Sequence, residues 1–321
     1  MAGALNAVQI VVTLLILMSI GYFLTAKKWI DDKVAHFLSQ LVLWIGVPAS
    51  TFDNMFNHFS AEMLAGAGIA LLAPLASVIL SFLIAIPVAR LFKVEKHRRG
   101  IFYNMFAFSN TIFIGLPVSQ ALFGESATPY ALFYYMGNTI TVWTLGIYAL
   151  QRDGNVRAGN VEKQKIFSMA TLKKILSPGL VSFVLALGLV MLDFKMPLFA
   201  EKTFRYLGSI CTPLALIFIG HVIYNIGLKN LRFQKDTWGV LIGRLIVSPV
   251  LVYLLVILIG APLDMSKVFI VQAAMPVMSN APILAKAYGS DSEFASETMA
   301  LTTLLSMITM PLLMMLFQVI F

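Results

Sequence analysis

The chain is poor in charged residues and in cysteine. Asp, Glu, Lys and Arg make up only 12% of its 321 residues, whereas hydrophobic residues make up 59% and the mean hydropathy is +0.87. Soluble globular domains carry about 25% charged residues, so this composition excludes that class and indicates a membrane protein. The single cysteine, Cys211, excludes an intramolecular disulfide and is expected to pack as a small apolar side chain.

The sequence also lacks the motifs of membrane-bound enzymes. Its four histidines, His36, His58, His97 and His221, are widely separated and form no HExxH zinc motif. It contains no GxSxG nucleophile motif and no phosphate-binding P-loop. We therefore predict that the protein is not an enzyme, needs no cofactor or metal, and is not powered by ATP.

What the chain does have is ten apolar windows, each long enough to cross a bilayer as a helix of about 17 to 25 residues. We predict an all-α membrane protein with ten transmembrane helices. The windows lie at about 7–26, 34–52, 62–91, 100–123, 128–150, 172–192, 203–226, 237–260, 266–289 and 294–320. The first has no positive residue before it and no small-residue cleavage pattern after it, so we expect a retained span.

The positive charges of the chain predict its orientation. Most of the 23 Lys and Arg lie in the first, third, fifth and seventh gaps between windows, whereas the second, fourth and sixth gaps hold only Lys195 and Lys202. Positive residues mark cytoplasmic loops. Both termini are therefore predicted to be extracytoplasmic, in the plasma or inner membrane of the cell. The net charge of +8 is explained by topology, and with no basic soluble module we expect no nucleic-acid partner.

The two halves of the chain repeat each other at an offset of 165 residues, which superposes five windows on five. The same offset pairs three helix-breaking positions, namely Pro48 with Pro213, Pro117 with Pro282, and Gly124 with Gly289. Because five is odd, the second half must enter the membrane from the opposite side. This predicts an inverted-topology repeat, an arrangement that many secondary transporters share.

The fourth and ninth windows each carry a proline in mid-span, Pro117 and Pro282, together with other helix breakers and amides. A proline removes a backbone donor and costs about 3 kcal/mol inside a helix. We predict that both helices are broken and that their unwound middles meet near the bilayer centre. Such backbone is tolerated only inside protein or beside a water-filled cavity.

A site for an anion such as a carboxylate is expected at this meeting point. The amino ends of half-helices carry positive partial charge, and asparagine amides add neutral donors. The alternative is that each proline only kinks a packed helix and that the polar residues hold helices together. The predicted substrate-binding residues are Ser109, Asn110, Thr111, Gly115, Pro117, Ser279, Asn280, Ala281 and Pro282.

Four further residues are candidates for coupling or gating: Arg244, His221, Gln272 and Asn138. The fifteen acidic residues map to loops or window ends, so none is expected to carry protons in mid-membrane. Arg244 either attracts the anion or extends to the cytoplasmic interface, and a structural role is favoured. His221 either links transport to protons or is a packing residue, with packing favoured.

Three stretches resemble one known family. The segment SNTIFIGLPVSQALFG (109–124) resembles the fourth-helix motif of the auxin efflux carrier family. The segment AAMPVMSNAPILAKAYGSDSEFASETMALTTLLSMITMP (273–311) is similar to the ninth and tenth helices of that family, and RLIVSP (244–249) resembles its eighth-helix pattern. Members of the family include plant auxin exporters and bacterial malonate and malate permeases, and the resemblance covers the whole chain.

The resemblance implies an architecture and a mechanism. Helices 1, 2, 6 and 7 would form a scaffold, and helices 3–5 and 8–10 a mobile transport domain with helices 4 and 9 crossing at its centre. Transport would follow an elevator motion, usually in a homodimer, with Asn110, Pro117, Asn280 and Pro282 framing the substrate. The short central loop, about 152–171, departs from the long loop of the plant exporters and favours a prokaryotic small-carboxylate carrier.

The predicted organisation is therefore a first five-helix repeat (1–151), a basic cytoplasmic linker (152–171) and a second, inverted repeat (172–321). The predicted function is secondary transport of a small organic anion, with lipid, solute and a second copy of the chain as partners. Two alternatives stay open. One is a sodium-coupled symporter, with oxygen ligands around 109–111 and 279–280, and the other is a channel. Proton coupling is likewise open.

Overall fold

A computed structural model describes residues 2–58, 60, 68–159, 178–227 and 233–320. Across these ranges the chain is helical and contains no β-strand, which confirms the expected all-α class. Its α-helices are α1 (Ala2–Ala26), α2 (Asp32–Leu41), α3 (Val47–His58), α4 (Ala73–Leu91), α5 (Arg99–Ala107), α6 (Leu116–Phe123), α7 (Thr128–Thr141), α8 (Ile147–Ala158), α9 (Pro178–Met191), α10 (Leu198–Ser209), α11 (Cys211–Ile226), α12 (Lys235–Ile242), α13 (Ser248–Ile259), α14 (Leu263–Ala273), α15 (Ala281–Ala287) and α16 (Ser292–Ile320).

Short 3₁₀ and π-helical turns link several of these helices into longer runs. The 3₁₀ turns are Gly68–Leu72, Lys96–Arg98 and Glu125–Ala127. The π turns are Val42–Gly46, Thr111–Gly115, Val142–Gly146 and Gly243–Val247. Within the described ranges, four helical runs are long and apolar enough to cross a bilayer, namely Asp32–Asn57, Gly68–Leu91, Leu198–Asn225 and Lys235–Ile259. Shorter apolar helices cover Val12–Ala26, Thr111–Phe123 and Pro178–Met191. These helices support a multi-pass membrane protein.

The predicted window ends differ most from the structure after the fifth window. That window was expected to end at 150, but α8 continues to Ala158, so residues 152–158 of the predicted linker are helical. The expectation that every acidic residue lies in a loop or at a window end is wrong for Asp153, which is buried inside α8. Residues 160–177, which hold the rest of the linker, and 61–67 lie outside the described residues.

The buried carboxylate of Asp153 is accommodated because it caps another helix. It accepts hydrogen bonds from the backbone N–H groups of Gly100 (2.7 Å) and Ile101 (2.9 Å) in the first turn of α5, and from the Ser290 hydroxyl (2.7 Å). Burial raises the pKa of Asp153, although these hydrogen bonds oppose the rise. The carboxylate therefore ties α8 to α5 and to the turn before α16.

A second polar contact joins neighbouring loops on the same side of the molecule. Arg98 pairs with Asp291 at 2.7 Å, and the Asp291 carboxylate also accepts the Phe294 N–H at 3.0 Å. Burial alone would raise the pKa of Asp291, but these two partners outweigh it and hold the pKa below its usual value. The loop before α5 is thus fixed to the start of α16.

Several helix pairs make extensive contacts. Helix α1 lies along α11, and α3 packs against α9, α10 and α7. Helix α4 contacts α5, α7 and α13, α13 packs on α14, and α16 packs on both α15 and α1. The first pair approaches very closely, because a Cβ atom on Gly220 would overlap the Met18 carbonyl oxygen of α1.

Helices α6 and α15 share the same local design, as the 165-residue offset predicts. Each has proline as its second residue, Pro117 in α6 and Pro282 in α15. Each is followed by a glycine with positive φ, Gly124 at 79° and Gly289 at 73°, a conformation that residues with a Cβ rarely adopt. The paired breakers therefore begin and end corresponding half-helices. The opposite membrane orientation of the two halves stays a prediction.

Candidate functional site

The two helices predicted to be broken are broken, and their breaks touch. Helix α5 ends at Ala107 and is followed by extended chain, whereas α14 ends at Ala273 and is followed by a turn. Ser109 and Val277 then form a single antiparallel β-bridge, and the Asn110 N–H donates to the Pro276 carbonyl oxygen at 2.8 Å. Each unwound segment therefore satisfies part of the other's backbone, as buried polar groups require.

A side chain from α7 completes this pairing. The carboxamide of Asn138 accepts a hydrogen bond from the Ser109 N–H (3.2 Å) and donates one to the Ser109 carbonyl oxygen (3.4 Å). On the other side of the crossing, the Val277 N–H donates to the Thr302 hydroxyl at 3.2 Å. Asn138, predicted as a coupling or gating residue, is thus a backbone partner within the crossing.

Arg244 binds the carboxyl ends of both broken helices. Its Nη1 donates to the carbonyl oxygen of Phe106 near the end of α5, at 3.1 Å, and its Nε donates to that of Met275 at 3.1 Å. A third bond joins Nη2 to the carbonyl oxygen of Ala273, the last residue of α14. The side chain is fully buried, so the prediction that it reaches the cytoplasmic interface is wrong. It caps two helices instead, because the last carbonyls of a helix lack partners.

A cavity of about 280 Å³ lies beside the crossing. Its lining includes six predicted residues, namely Ser109, Asn110, Thr111, Asn138, Ser279 and Asn280. Ser39 and Thr139 add hydroxyl groups, and Trp44, Trp143 and Phe218 add aromatic walls. The lining contains no Asp, Glu, Lys or Arg among the residues that the structure describes. The site is therefore polar but carries no side-chain charge.

Several polar groups of this lining have no protein partner. The Ser109 hydroxyl, on a residue that is 1% exposed, forms no hydrogen bond of normal geometry, although the Tyr134 hydroxyl lies near it. The Asn110 carboxamide oxygen accepts the Phe113 N–H at 3.3 Å, which leaves its NH₂ group to the cavity. Asn280 is exposed in the cavity wall. A buried hydroxyl without a partner costs about 1 to 3 kcal/mol, so a solute with matching acceptors would relieve it.

Three of the four π turns named above help to line the cavity. They contribute Leu43 and Trp44, Thr111 to Phe113, and Val142 with Trp143. The fourth carries Arg244. Isolated π turns within α-helices occur frequently at functional sites. The sequence prediction missed these turns, and their only local signal is a glycine at the end of three of them, Gly46, Gly115 and Gly146.

The remaining predicted residues lie outside the cavity. Gly115 is buried against the side chain of Gln272, which a Cβ at this position would overlap. Gln272 is fully buried and donates to the Ser119 hydroxyl at 3.2 Å, so it joins α14 to α6. Ala281 is fully buried in the apolar core. These three residues shape the crossing and do not line the cavity.

The two prolines of the motif face larger cavities on either side of the crossing. Pro282 lines one of about 830 Å³, which shares Ser39, Phe218 and Ile283 with the lining of the central cavity. Pro117 lines another of about 800 Å³, which shares no lining residue with the central cavity. The central cavity therefore shares part of its wall with the first of these two vestibules.

His221 lines the first vestibule and is 5% exposed. Its Nδ1 lies 3.3 Å from the Thr25 hydroxyl, and its Nε2 lies 2.9 Å from the Asn225 amide nitrogen and 3.4 Å from an Asp32 carboxylate oxygen. Since the Asn225 NH₂ group is a donor, the arrangement fits a neutral imidazole that accepts at Nε2. His221 is therefore a hydrogen-bonded residue of α11, separate from the crossing cavity.

The sequence was compared with those of known proteins. The profile of the family described as "Membrane transport protein" matches residues 6–314. The chain belongs to this family. This match confirms the resemblance to the auxin efflux carriers and assigns the chain to the membrane transport proteins.

Relatives of similar length are also called transporters. An uncharacterized transporter of Methanocaldococcus jannaschii is 28% identical over 95% of this chain and 96% of its own. A second, from Methanothermobacter thermautotrophicus, is 24% identical over 96% of this chain and 97% of its own. A protein of Rhizobium meliloti named "Putative malonate transporter" is 27% identical over 63% of this chain and 62% of its own. None of these names describes an enzyme.

A metal-dependent site finds no support within the described ranges. No group of three or more His, Cys, Asp or Glu residues lies close enough there to hold a metal ion. Cys211 is buried in an apolar cluster, as expected for a small hydrophobic side chain. The lining of the cavity, among the described residues, offers hydroxyl, carboxamide and backbone groups.

Proposed function

We propose that this protein is a secondary active transporter of a small organic anion, a carboxylate such as malonate or malate, and that the central cavity is its binding site. The observation that carries the proposal is the lining of that cavity, a charge-free chamber with unpartnered donors at a helix crossing. The name of the Rhizobium meliloti relative favours a short dicarboxylate.

The size and chemistry of the cavity fit such a solute. Drug-sized ligands occupy pockets of about 300 to 1,000 Å³, so a cavity of about 280 Å³ suits a molecule of a few carbon atoms. A carboxylate only accepts hydrogen bonds. Donors for it are the Ser109 and Thr139 hydroxyls and the NH₂ groups of Asn110 and Asn280. Trp44 and Trp143 would enclose the carbon chain.

The packing of the helices supports alternating access by an elevator motion. The group made of α1 to α3 and α9 to α11 would be the scaffold, and the remaining helices, which hold the crossing, would move. Phe218 on α11 contacts Phe113 of the crossing with ring centroids 4.9 Å apart, so the solute sits where the two groups meet. The first vestibule, which shares wall residues with the central cavity, lies on the predicted cytoplasmic side, so in this proposal the cavity opens inward. A homodimer formed through the scaffold completes the proposal.

The first experiment is counterflow of radiolabelled malonate into proteoliposomes, with unlabelled mono- and dicarboxylates as competitors. The variants Asn110→Ala and Asn280→Ala each remove one donor and should raise the half-saturating concentration about tenfold, the effect of losing one hydrogen bond to a charged acceptor. Asn155→Ala is the matched control, because Asn155 lines none of the three cavities. Unchanged affinity in both site variants, with folded protein, would remove the crossing from the proposal.

The same vesicles test the alternatives. A channel would give flux without saturation and without counterflow. A sodium-coupled symporter would show uptake that follows an imposed sodium gradient, and a proton-coupled carrier would follow a pH gradient. Placement in the cell membrane with both termini outside is tested separately by attaching a reporter to each end and measuring its accessibility in intact cells.

A further inference from the structure

We propose that Arg244 determines the sign of the charge that the central cavity accepts. By neutralising the two negative helix ends at the crossing, it leaves the positive helix ends to act on the solute. The identification of that solute as a carboxylate rests on the proposed function, whereas the electrostatic argument concerns the cavity alone.

Four helix ends meet at the crossing. The carboxyl ends of α5 and α14 bring carbonyl oxygens, and the amino ends of the run Thr111–Phe123 and of α15 bring N–H groups. Each helix end carries about half a unit charge, negative at the carboxyl end and positive at the amino end. Two ends of each sign at one place largely cancel, so a bare crossing would have little preference for either charge.

Arg244 contacts only the two negative helix ends. Its guanidinium donates to the carbonyl oxygens of Phe106, Ala273 and Met275, which belong to the carboxyl ends of α5 and α14. One full positive charge therefore offsets about two half charges of opposite sign. Among the described residues no carboxylate lies within ion-pair distance of this guanidinium, so its charge is not consumed elsewhere.

The two positive helix ends remain, and the one that belongs to the longer helical run faces the cavity. The run Thr111–Phe123 begins with Thr111, Ile112 and Phe113, all of which line the cavity. An independent feature points to a ligand at the same place, because the Ser109 hydroxyl lies in the lining, is buried and forms no hydrogen bond of normal geometry. An anion that accepts a hydrogen bond from Ser109 would lie in the field of that helix end.

The choice of arginine supports an electrostatic role. Carbonyl groups at helix ends are commonly satisfied by glycine caps or neutral donors, and a buried cation without a counter-ion carries a large desolvation cost. A neutral glutamine could satisfy at most two of the three carbonyls, at a lower desolvation cost. Arginine adds the third donor and a full positive charge, and the cavity beside it is lined by no charged side chain.

The test measures the field in the cavity without any substrate. Trp143 lines the cavity, and replacing the other three tryptophans, Trp29, Trp44 and Trp238, with Phe leaves it as the only tryptophan reporter. Its fluorescence is quenched in turn by iodide, by caesium and by neutral acrylamide, which corrects for access. The iodide-to-caesium ratio of quenching constants should exceed one, and Arg244→Gln should lower that ratio about tenfold, the effect expected of one unit charge at about 10 Å in a medium of intermediate dielectric constant.

Two further variants separate charge from structure. Arg244→Lys keeps the charge but not the three-way cap, and should retain most of the ratio. Arg90→Gln is the matched control, because Arg90 is exposed at the end of α4 and its loss should leave the ratio unchanged. Equal iodide and caesium quenching in the parent protein would overturn the inference without recourse to any variant. So would equal losses in Arg244→Lys and Arg244→Gln.

The outcome is separable from that of the transport assay. Absence of counterflow together with an intact, Arg244-dependent quenching ratio would refute the carrier proposal and leave this inference standing. Counterflow of carboxylates together with a ratio that does not respond to Arg244→Gln would do the reverse.

Discussion

Replacement of Asn138 by Ala tests whether the helix crossing depends on this neighbouring side chain for its stability. The Asn138 carboxamide binds both the N–H and the carbonyl oxygen of Ser109, a residue that is only 1% exposed. Its removal strands the buried Ser109 N–H, at a cost of about 1 to 3 kcal/mol, whereas the Ser109 carbonyl oxygen keeps its bond from the Thr111 N–H at 3.0 Å. Because Ser109 borders a cavity that water can enter, we expect the middle of that range and not its upper end, a loss of about 2 kcal/mol in the free energy of unfolding.

The assay is unfolding of the purified protein in mixed micelles by added SDS, followed by circular dichroism. Thr139→Ala is the comparison, since Thr139 is the next residue, lines the same cavity and is similarly buried. It should lower stability by less than about 1 kcal/mol, although it removes a donor from the site. If Asn138→Ala destabilises the protein no more than Thr139→Ala does, the crossing does not depend on Asn138 and the reasoning fails.

Three other predictions concern helix packing and the pH dependence of stability. Gly220→Ala should destabilise the protein by about 1 to 3 kcal/mol, because the new methyl group overlaps the backbone of α1. The same change at Gly188, where a Cβ atom would meet open space, should be neutral or stabilising by up to about 1 kcal/mol. Equal effects of the two substitutions on SDS unfolding would contradict this prediction. The pKa of Asp291 is lower in the folded protein than its usual value of 3.8, so the ionised carboxylate stabilises the fold above pH 3.8. This stability is lost as the pH falls through the pKa of the folded protein, and the difference in stability between wild type and Asp291→Asn should therefore narrow below pH 3.8. The raised pKa of Asp153 has the opposite sign, and wild type should gain stability relative to Asp153→Asn as pH falls towards 3.8. Thermal midpoints of wild type and of both Asp→Asn variants, measured from pH 3 to pH 7, check these two predictions. If the stability of wild type relative to each variant changed in the same direction with pH, the assigned pKa shifts would be refuted.

The broken helices were predictable because their causes are local. Proline, glycine and asparagine each weaken a helix wherever they stand, so Asn110, Pro117, Asn280 and Pro282 mark the two breaks in the sequence itself. The 165-residue offset between the two halves also indicated that the two breaks occupy equivalent places in the fold. Convergence of Ser109, Asn110, Thr111, Ser279 and Asn280 on one cavity followed from that pairing.

The role of Arg244 was not predictable in the same way. Its three carbonyl partners lie 29, 31 and 138 residues away in the chain, so no local pattern encodes the cap. Hydropathy presented it only as a charge in an apolar window, which suggested an interfacial position. Asp153 was missed for the same reason, because the donors that satisfy its carboxylate lie more than 50 residues away.

The π turns have a consequence for how the cavity can change during evolution. A π turn accommodates one more residue than the α-helix on either side of it, so deletion of a single residue there would restore regular α-helical hydrogen bonding. Each residue of an α-helix turns by about 100°, and the wider π turn absorbs this rotation locally, so such a deletion would remove one wall residue and leave the rest of the helix in its orientation. Relatives of this protein could therefore exchange one solute for another through one-residue insertions and deletions at 42–46, 111–115 or 142–146, with little change in composition.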